Sequence, residues 1–176
     1  MSLTETYELP LRSMPEGSMT YERMLTREFF ADMECRDILD GEVAATISVT
    51  RKGHDYQVEI RARGHIDIPC DRCLSPMRHD VDATYSVTAR YGDVADIDDS
   101  LDAMLIVPEA YEKLDVSRLV ADTVVLSIPM VHTHPQGECD PEMMEQLWRH
   151  SGIADDAESE DTDPRWDALK SLSNNH

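Results

Sequence analysis

The chain of 176 residues is long enough for one domain with a modest hydrophobic core and a tail. Its composition, 41% hydrophobic and 30% charged, is typical of a globular protein. Its net charge of −20 disfavours broad binding to nucleic acid, because such binding depends on basic side chains that neutralise phosphates, and it suits a basic protein partner instead.

The sequence predicts a cytoplasmic protein without a membrane partner. No apolar run approaches the roughly 20 residues that cross a bilayer. The first residues, MSLTETYELP, lack both the basic region and the apolar core of a signal peptide. In the cytoplasm we expect the four cysteines to be reduced, so a structural disulfide is not predicted.

The first half of the chain has the pattern of a β-sheet. Short strands are predicted at 5–12 and 19–25, and a short helix follows in TREFFADM. Apolar and polar residues then alternate in three successive runs, 43–49, 56–68 and 81–91. Alternation with period two indicates antiparallel strands with one buried and one solvated face.

The second half predicts helices around one more strand. An acidic loop at 91–102 precedes a short apolar run at 103–107, which we interpret as a strand. Asp115 has the position of a helix cap, and apolar residues follow it at helical spacing until Pro129 stops the helix.

A last helix is framed by Asp140 as the cap, Pro141 in the first turn and Gly152 beyond the end. Residues 153–176 then form an acidic linker and a short amphipathic segment. The predicted fold class is α+β: an antiparallel sheet of about five to six strands with two to three helices packed on it, in a domain at 1–152, followed by an acidic C-terminal tail.

The stretch IPCDRCLSPM places Cys70 and Cys73 two residues apart between two strands. A redox dithiol is disfavoured, because such pairs open a helix whose N-terminus lowers the thiol pKa. A zinc site needs two further ligands, and HTHPQGEC offers His132, His134 and Cys139 for a Cys₃His set. The favoured interpretation is a structural turn in which the sulfurs only pack, and the zinc site is the alternative.

A cluster of basic side chains is predicted around the same turn. In a chain this acidic, it is the one place suited to holding a phosphate or carboxylate, which arginine contacts in bidentate fashion. The alternative is cross-strand pairing with nearby acids. The predicted binding surface comprises Arg61, Arg63, His65, Arg72 and Arg78.

The motifs of common enzyme classes are missing from the sequence. There is no Gly-x-Ser-x-Gly, no glycine-rich phosphate loop and no His-Glu-x-x-His. A hydrolase or nuclease would have to use His132 and His134 with nearby acids, and we do not favour it. The sequence therefore predicts a protein that is not an enzyme and has no evident small-molecule substrate.

Three stretches together resemble the YceD family of bacterial and plastid proteins. They are IPCDRCLSPM, then LDVSRLVADTVVLSIPMVHTHPQGECD, then DPRWDALKSL, in this order over most of residues 15–172. Some family members carry a second Cys-x-x-Cys where this chain has only one cysteine, so a zinc site here would require a histidine. The motif positions are Cys70, Arg72, Cys73, Leu74, Asp115, Leu126, Pro129 and Cys139.

The resemblance implies a non-catalytic role in the accumulation of 23S rRNA and the assembly of the large ribosomal subunit. The implied partners are a large-subunit ribosomal protein, 23S pre-rRNA, or both. Members of the family are also described as metal-binding or nucleic-acid-binding, and zinc is the candidate cofactor. The alternative is a zinc-stabilised adaptor whose partner is unrelated to the ribosome.

Overall fold

The structure is a computed structural model that describes residues 7–92 and 104–151. It divides the chain into two compact units, residues 1–134 and 135–176. The predicted boundary after residue 152 stays a prediction. The acidic linker and the amphipathic segment lie outside the described residues, as does most of the acidic loop.

A five-stranded sheet dominates the first unit, and the fold class α+β is confirmed. The three runs with alternating polarity form its long central strands, each longer than predicted because the turns between them are short. The strands are β2 (Gly17–Leu25), β3 (Asp40–Lys52), β4 (Asp55–Pro69), β5 (Pro76–Tyr91) and β6 (Met104–Val107). Their spatial order is β2-β3-β4-β5-β6.

The prediction of a purely antiparallel sheet is wrong at one edge. Strand β6 pairs with β5 in parallel, with Thr88 opposite Met104. Parallel neighbours need a long crossover connection rather than a tight turn. Alternating polarity within a strand carries no information on the direction of that strand, so the sequence pattern could not reveal the parallel pairing.

A second, two-stranded sheet joins distant parts of the chain. Strand β1 (Glu8–Leu9) pairs antiparallel with β7 (Leu114–Asp115), which the sequence pattern did not predict. The predicted strand at 5–12 is shorter than expected because Leu11–Ser13 form a 3₁₀ turn. Proline lacks a backbone N–H, so Pro10 favours this break.

Three α-helices lie among residues 7–92 and 104–151: α1 (Arg27–Asp32), α2 (Ser117–Val125) and α3 (Pro141–His150). The predicted cap of α3 is confirmed: Asp140 accepts a hydrogen bond from the N–H of Met143 at 2.9 Å. Within residues 7–92 and 104–151, every helix is too short or too polar to span a bilayer.

Helix α2 begins slightly later and ends earlier than predicted. Asp115 accepts a hydrogen bond from the N–H of Ser117 at 2.8 Å, although Val116 is the residue that adjoins the first turn. The helix ends at Val125, four residues before Pro129. Residues 126–134 therefore form an irregular connection that begins with turns and bends, and this connection reaches the cysteine turn.

The inner face of the sheet is the hydrophobic core. Ile47 on β3 and Ile60 on β4 are cross-strand neighbours and almost fully buried. Phe30 of α1 and Val120 of α2 are buried in the same cluster. Burial of each such side chain stabilises the fold by about 1.5–3 kcal/mol. The outer face stays exposed and polar, so the two faces differ as the alternation predicted.

Candidate metal centre

Residues 70–75, which we call the cysteine turn, connect β4 to β5. The N–H of Leu74 donates to the carbonyl of Cys70 at 2.9 Å, and the N–H of Cys70 donates to Ser75 at 3.0 Å. Leu74 has a positive φ of 61°, which is uncommon for a residue other than glycine. These bonds reverse the chain within six residues and direct both cysteine side chains inward.

The turn brings three potential metal ligands together. The thiols of Cys70 and Cys73 are buried, and Cys73 Sγ lies 3.4 Å from His134 Nδ1. The ligand atoms of these three residues all lie within 4.8 Å of one another. Such spacing matches a tetrahedral site, whose ligands surround a central ion at about 2.0–2.3 Å.

The surroundings of Cys70 favour its thiolate. Burial of the side chain opposes ionisation, but hydrogen bonds from neighbouring backbone N–H groups more than offset it and lower the pKa of Cys70 to about 6. Two of these donors, Arg72 N and His134 N, lie 3.4 Å from the sulfur. The two sulfurs also raise the pKa of His134. An electrostatic environment that favours a proton beside these sulfurs also favours a metal cation.

His132 has a different role from His134. Its backbone N–H donates to Asp71 Oδ2 at 2.7 Å, and its carbonyl accepts from the Asp71 N–H at 2.9 Å. Its ring Nδ1 lies 2.9 Å from the carbonyl of Pro129. The structure therefore assigns His132 to fastening the 126–134 connection against the cysteine turn. The sequence pattern does not distinguish the two histidines as ligands, and nothing in it singles out Asp71.

The dithiol lacks the setting of a redox motif. Cys70 and Cys73 lie in a turn between antiparallel strands, and no helix of the described chain begins there. All four cysteines lie among the described residues, and none forms a disulfide. A helix N-terminus is therefore not the cause of the lowered Cys70 pKa, in contrast to redox Cys-x-x-Cys sites.

The predicted binding surface lies on the outer face of β4 and β5. Three of its members, Arg61, Arg63 and His65, are successive outward residues of β4. The fourth, Arg78, lies on β5 opposite Asp67 of β4. We call these four residues the arginine face. Arg72 is exposed in the cysteine turn.

Acidic neighbours neutralise part of the arginine face, as the alternative interpretation expected. Arg63 pairs with Asp82 at 3.1 Å, and Arg78 lies 3.6 Å from Asp80. Both pairs are solvent-exposed and so contribute little to stability. Arg61 has no side-chain hydrogen bond among the described residues, although its charge acts with Arg63 to lower the pKa of Asp82. Its guanidinium donors are therefore open to another molecule.

Two motif leucines are exposed rather than buried. The relative accessibility of Leu74 is 65%, and that of Leu126 is 80%. Met130 and Val131, which are not among the motif positions of the sequence, are exposed at 99% and 75%. Large apolar side chains are usually buried. The cysteine turn and the 126–134 connection therefore expose apolar surface that does not contribute to the core of this unit.

The fold and the cysteine–histidine cluster together define a class of small α+β proteins with a candidate metal centre. A family model described as large ribosomal RNA subunit accumulation protein YceD matches residues 58–173. The chain belongs to this YceD family, as the motifs predicted. No curated protein and no solved structure matches it.

Proposed function

We propose that this protein is a non-catalytic factor that supports 23S rRNA accumulation and biogenesis of the large ribosomal subunit, with a structural zinc ion at the cysteine turn. The family description supports the ribosomal role. The convergence of Cys70, Cys73 and His134 is the observation that supports the metal. Two thiolates and one imidazole are a donor set that suits zinc.

Cys139 is the proposed fourth ligand. It follows His134 by five positions, and a chain segment of this length spans up to about 17 Å when extended, enough to return to the same ion. With Cys139 the proposed donors would be three cysteines and one histidine, a Cys₃His set. Four protein ligands leave no open position for a substrate, so such a zinc would be structural.

The proposed zinc would fasten the β4–β5 turn to the connection that follows α2. Asp71 and His132 already join these two segments through backbone and side-chain hydrogen bonds. The metal would add a second link between these two segments, beside the hydrogen bonds of Asp71 and His132. Its chemical contribution is cross-linking, and it would hold Arg72 and the exposed Leu74 in a defined position.

The two histidines give a direct test of the ligand set. We expect His134→Ala to lower the bound zinc from about one ion per chain to far less, because the loss of a ligand leaves the site incomplete. His132→Ala, two positions away, should retain the metal and lose only a little stability. Metal content by plasma mass spectrometry, on protein purified without a chelator or a histidine tag, measures both. Equal zinc content in the two variants would contradict the assignment.

Charge distribution supports the proposed partners. Residues 91–176 carry 5 basic and 20 acidic residues, a net charge of −15, which complements the strongly basic character of ribosomal proteins. The arginine face is the complementary feature, suited to RNA phosphates. We propose that the acidic half contacts a large-subunit ribosomal protein and the arginine face contacts 23S pre-rRNA.

Ribosome profiles test the function. Cells that lack this protein should accumulate less 23S rRNA and fewer large subunits, and the wild-type chain should restore both. The double variant Arg61→Glu, Arg63→Glu should restore them only partly, by about half or less, because it reverses charge on the proposed RNA surface. Arg118→Glu, an exposed arginine on α2, is the matched control and should restore them fully.

A normal profile in cells that lack the protein would refute the ribosomal role. The zinc-stabilised adaptor would then become the better hypothesis, because the cysteine–histidine cluster is equally compatible with it. Sedimentation of the purified protein with isolated large subunits provides a second measurement that does not depend on growth.

A further inference from the structure

A second cationic site lies at the opposite end of β4 from the cysteine turn. The β3–β4 hairpin and the end of β5 line a cavity of about 570 Å³ that is open to solvent. We call it the hairpin-end pocket, and it is distinct from the metal centre and the arginine face. Its lining includes Arg51, His54, Asp55, Tyr56, Arg90 and Tyr91.

Arg51 is held in place on one side of this pocket. Its guanidinium lies 5.5 Å over the ring of Tyr56, and the Tyr56 and Tyr91 rings contact each other edge to face at 5.9 Å. Nε donates to the carbonyl of Gly53 and Nη1 to that of Met14. These bonds engage two of its three nitrogens, so Nη2 remains as a donor on a side chain with little freedom to lose on binding.

Arg90 lines the same pocket from the other face of the sheet. Register places Arg51 beside Tyr56 on the inner face, whereas Arg90 lies beside Asp55 on the outer face. Arg90 Nε donates to Asp55 Oδ1, which leaves both terminal nitrogens of the guanidinium as donors. This hydrogen bond also lowers the pKa of Asp55, so the carboxylate stays ionised and competes with any anion that approaches Arg90.

The second carboxylate of the pocket is also paired. Glu109 accepts from Arg12 at 2.7 Å, and the Arg12 guanidinium lies 5.0 Å over the Tyr91 ring. The lining itself holds two arginines and two carboxylates. Because Arg12, which lies beside the lining, pairs with Glu109, and Arg90 pairs with Asp55, Arg51 is left without a carboxylate partner among the described residues. An anion is the ligand that this arrangement favours.

We propose that the hairpin-end pocket binds a phosphate group through the guanidinium groups of Arg51 and Arg90. Phosphate matches the fork of donors that a guanidinium presents, and charge-assisted hydrogen bonds of this type are the strong ones. The phosphate can belong to an RNA strand or to a free nucleotide. The first source deepens the proposed function and rests on it, because it adds a second RNA contact some distance along β4 from the arginine face.

Two binding measurements on the purified full chain test the pocket. A fluorescein-labelled 12-nucleotide single-stranded RNA is titrated by anisotropy at fixed salt, and AMP is titrated by calorimetry. We expect Arg51→Gln and Arg90→Gln each to weaken binding about tenfold for whichever of the two probes, RNA or AMP, the wild-type chain binds. Asp55→Asn should strengthen it about twofold, because it removes the carboxylate that competes for Arg90.

The opposite signs within one ion pair separate a binding role from a structural one. Asp55→Asn and Arg90→Gln break the same salt bridge, so a loss of stability alone would move both variants in the same direction. The matched control is the pair Arg118 and Asp122 on α2, whose atoms are 2.9 Å apart. Arg118→Gln and Asp122→Asn should leave both affinities unchanged. Should Arg51→Gln unfold, Arg90→Gln and Asp55→Asn on the outer face still decide the matter.

The two probes identify the source of the phosphate. A response with RNA but not with AMP assigns the pocket to a nucleic-acid strand, and a response with AMP alone assigns it to a free nucleotide. The proposal is overturned if neither probe binds, or if the pocket variants change affinity no more than the α2 controls. A normal ribosome profile would end the proposed function without affecting these affinities, so the two failures are distinguishable.

Discussion

Protein carrying Cys73→Ser is expected to lose its zinc and to melt about 10 °C below the wild type. A ligand present at about 1,000 times its Kd stabilises the folded state by about 4 kcal/mol. In a chain of this length each kcal/mol corresponds to about 2–4 °C in Tm. Cys73 is buried beside His134 Nδ1, so a shorter, harder hydroxyl there both removes a ligand and leaves a poorly packed polar group.

Cys35→Ser is the matched control for this experiment. Cys35 is half-buried near the end of α1, and burial raises the pKa of its thiol, so it has no character of a metal ligand. It should retain about one zinc per chain. Treatment of the wild type with a strong chelator should reproduce the lower Tm, and the same treatment should not change Cys73→Ser. Wild-type protein that contains no metal and is indifferent to the chelator would refute the zinc site.

Gly64→Ala is expected to cause the second large loss, about 4 kcal/mol in the free energy of unfolding. Gly64 lies in the middle of β4 with φ of 155°, opposite Val43 on β3. A Cβ at this position would lie 2.1 Å from the carbonyl oxygen of Glu42 and 2.7 Å from the Cα of Val43. Both atoms belong to the backbone of a central strand, so strain and overpacking add together.

Urea denaturation measures this loss, with Gly92→Ala as the control. The midpoint for Gly64→Ala should fall by about 2 M, given slopes of about 1–3 kcal/mol per M for proteins of this size. At Gly92 the nearest atom to an added Cβ is Ile106 Cγ2 at 3.8 Å, an ordinary contact. Its change should stay within about 0.5 kcal/mol. Equal midpoints for the two variants would show that the strands separate at Gly64 without cost.

Gly64 also connects stability to the proposed RNA surface. It lies between Arg63 and His65, two members of the arginine face. Close approach of β3 and β4 at this point keeps those side chains at adjacent outward positions. A modest fall in RNA affinity in Gly64→Ala would therefore reflect a displaced strand rather than a lost contact, and the Arg61 and Arg63 variants are the more specific probes.

Local patterns in the sequence were sufficient for the elements that depend on local rules. Alternating polarity identified β3, β4 and β5 and the face that each one buries, because successive side chains in a strand point in opposite directions. Asp140 and Pro141 identified the start of α3, because the first turn of a helix lacks partners for its N–H groups. The motifs around Cys70 identified the family.

The tertiary structure alone decided features that depend on distant segments. The direction of β6 depends on how the chain returns to the sheet, and periodicity does not encode it. The position of His134, rather than His132, beside Cys73 depends on hydrogen bonds between Asp71 and His132, which are 61 residues apart. The hairpin-end pocket likewise gathers residues from β3, β4 and β5. The sequence by itself thus determined which side chains of this protein are buried and which lie in turns. Only folding determined which of them meet, because such contacts depend on the path of the backbone between them.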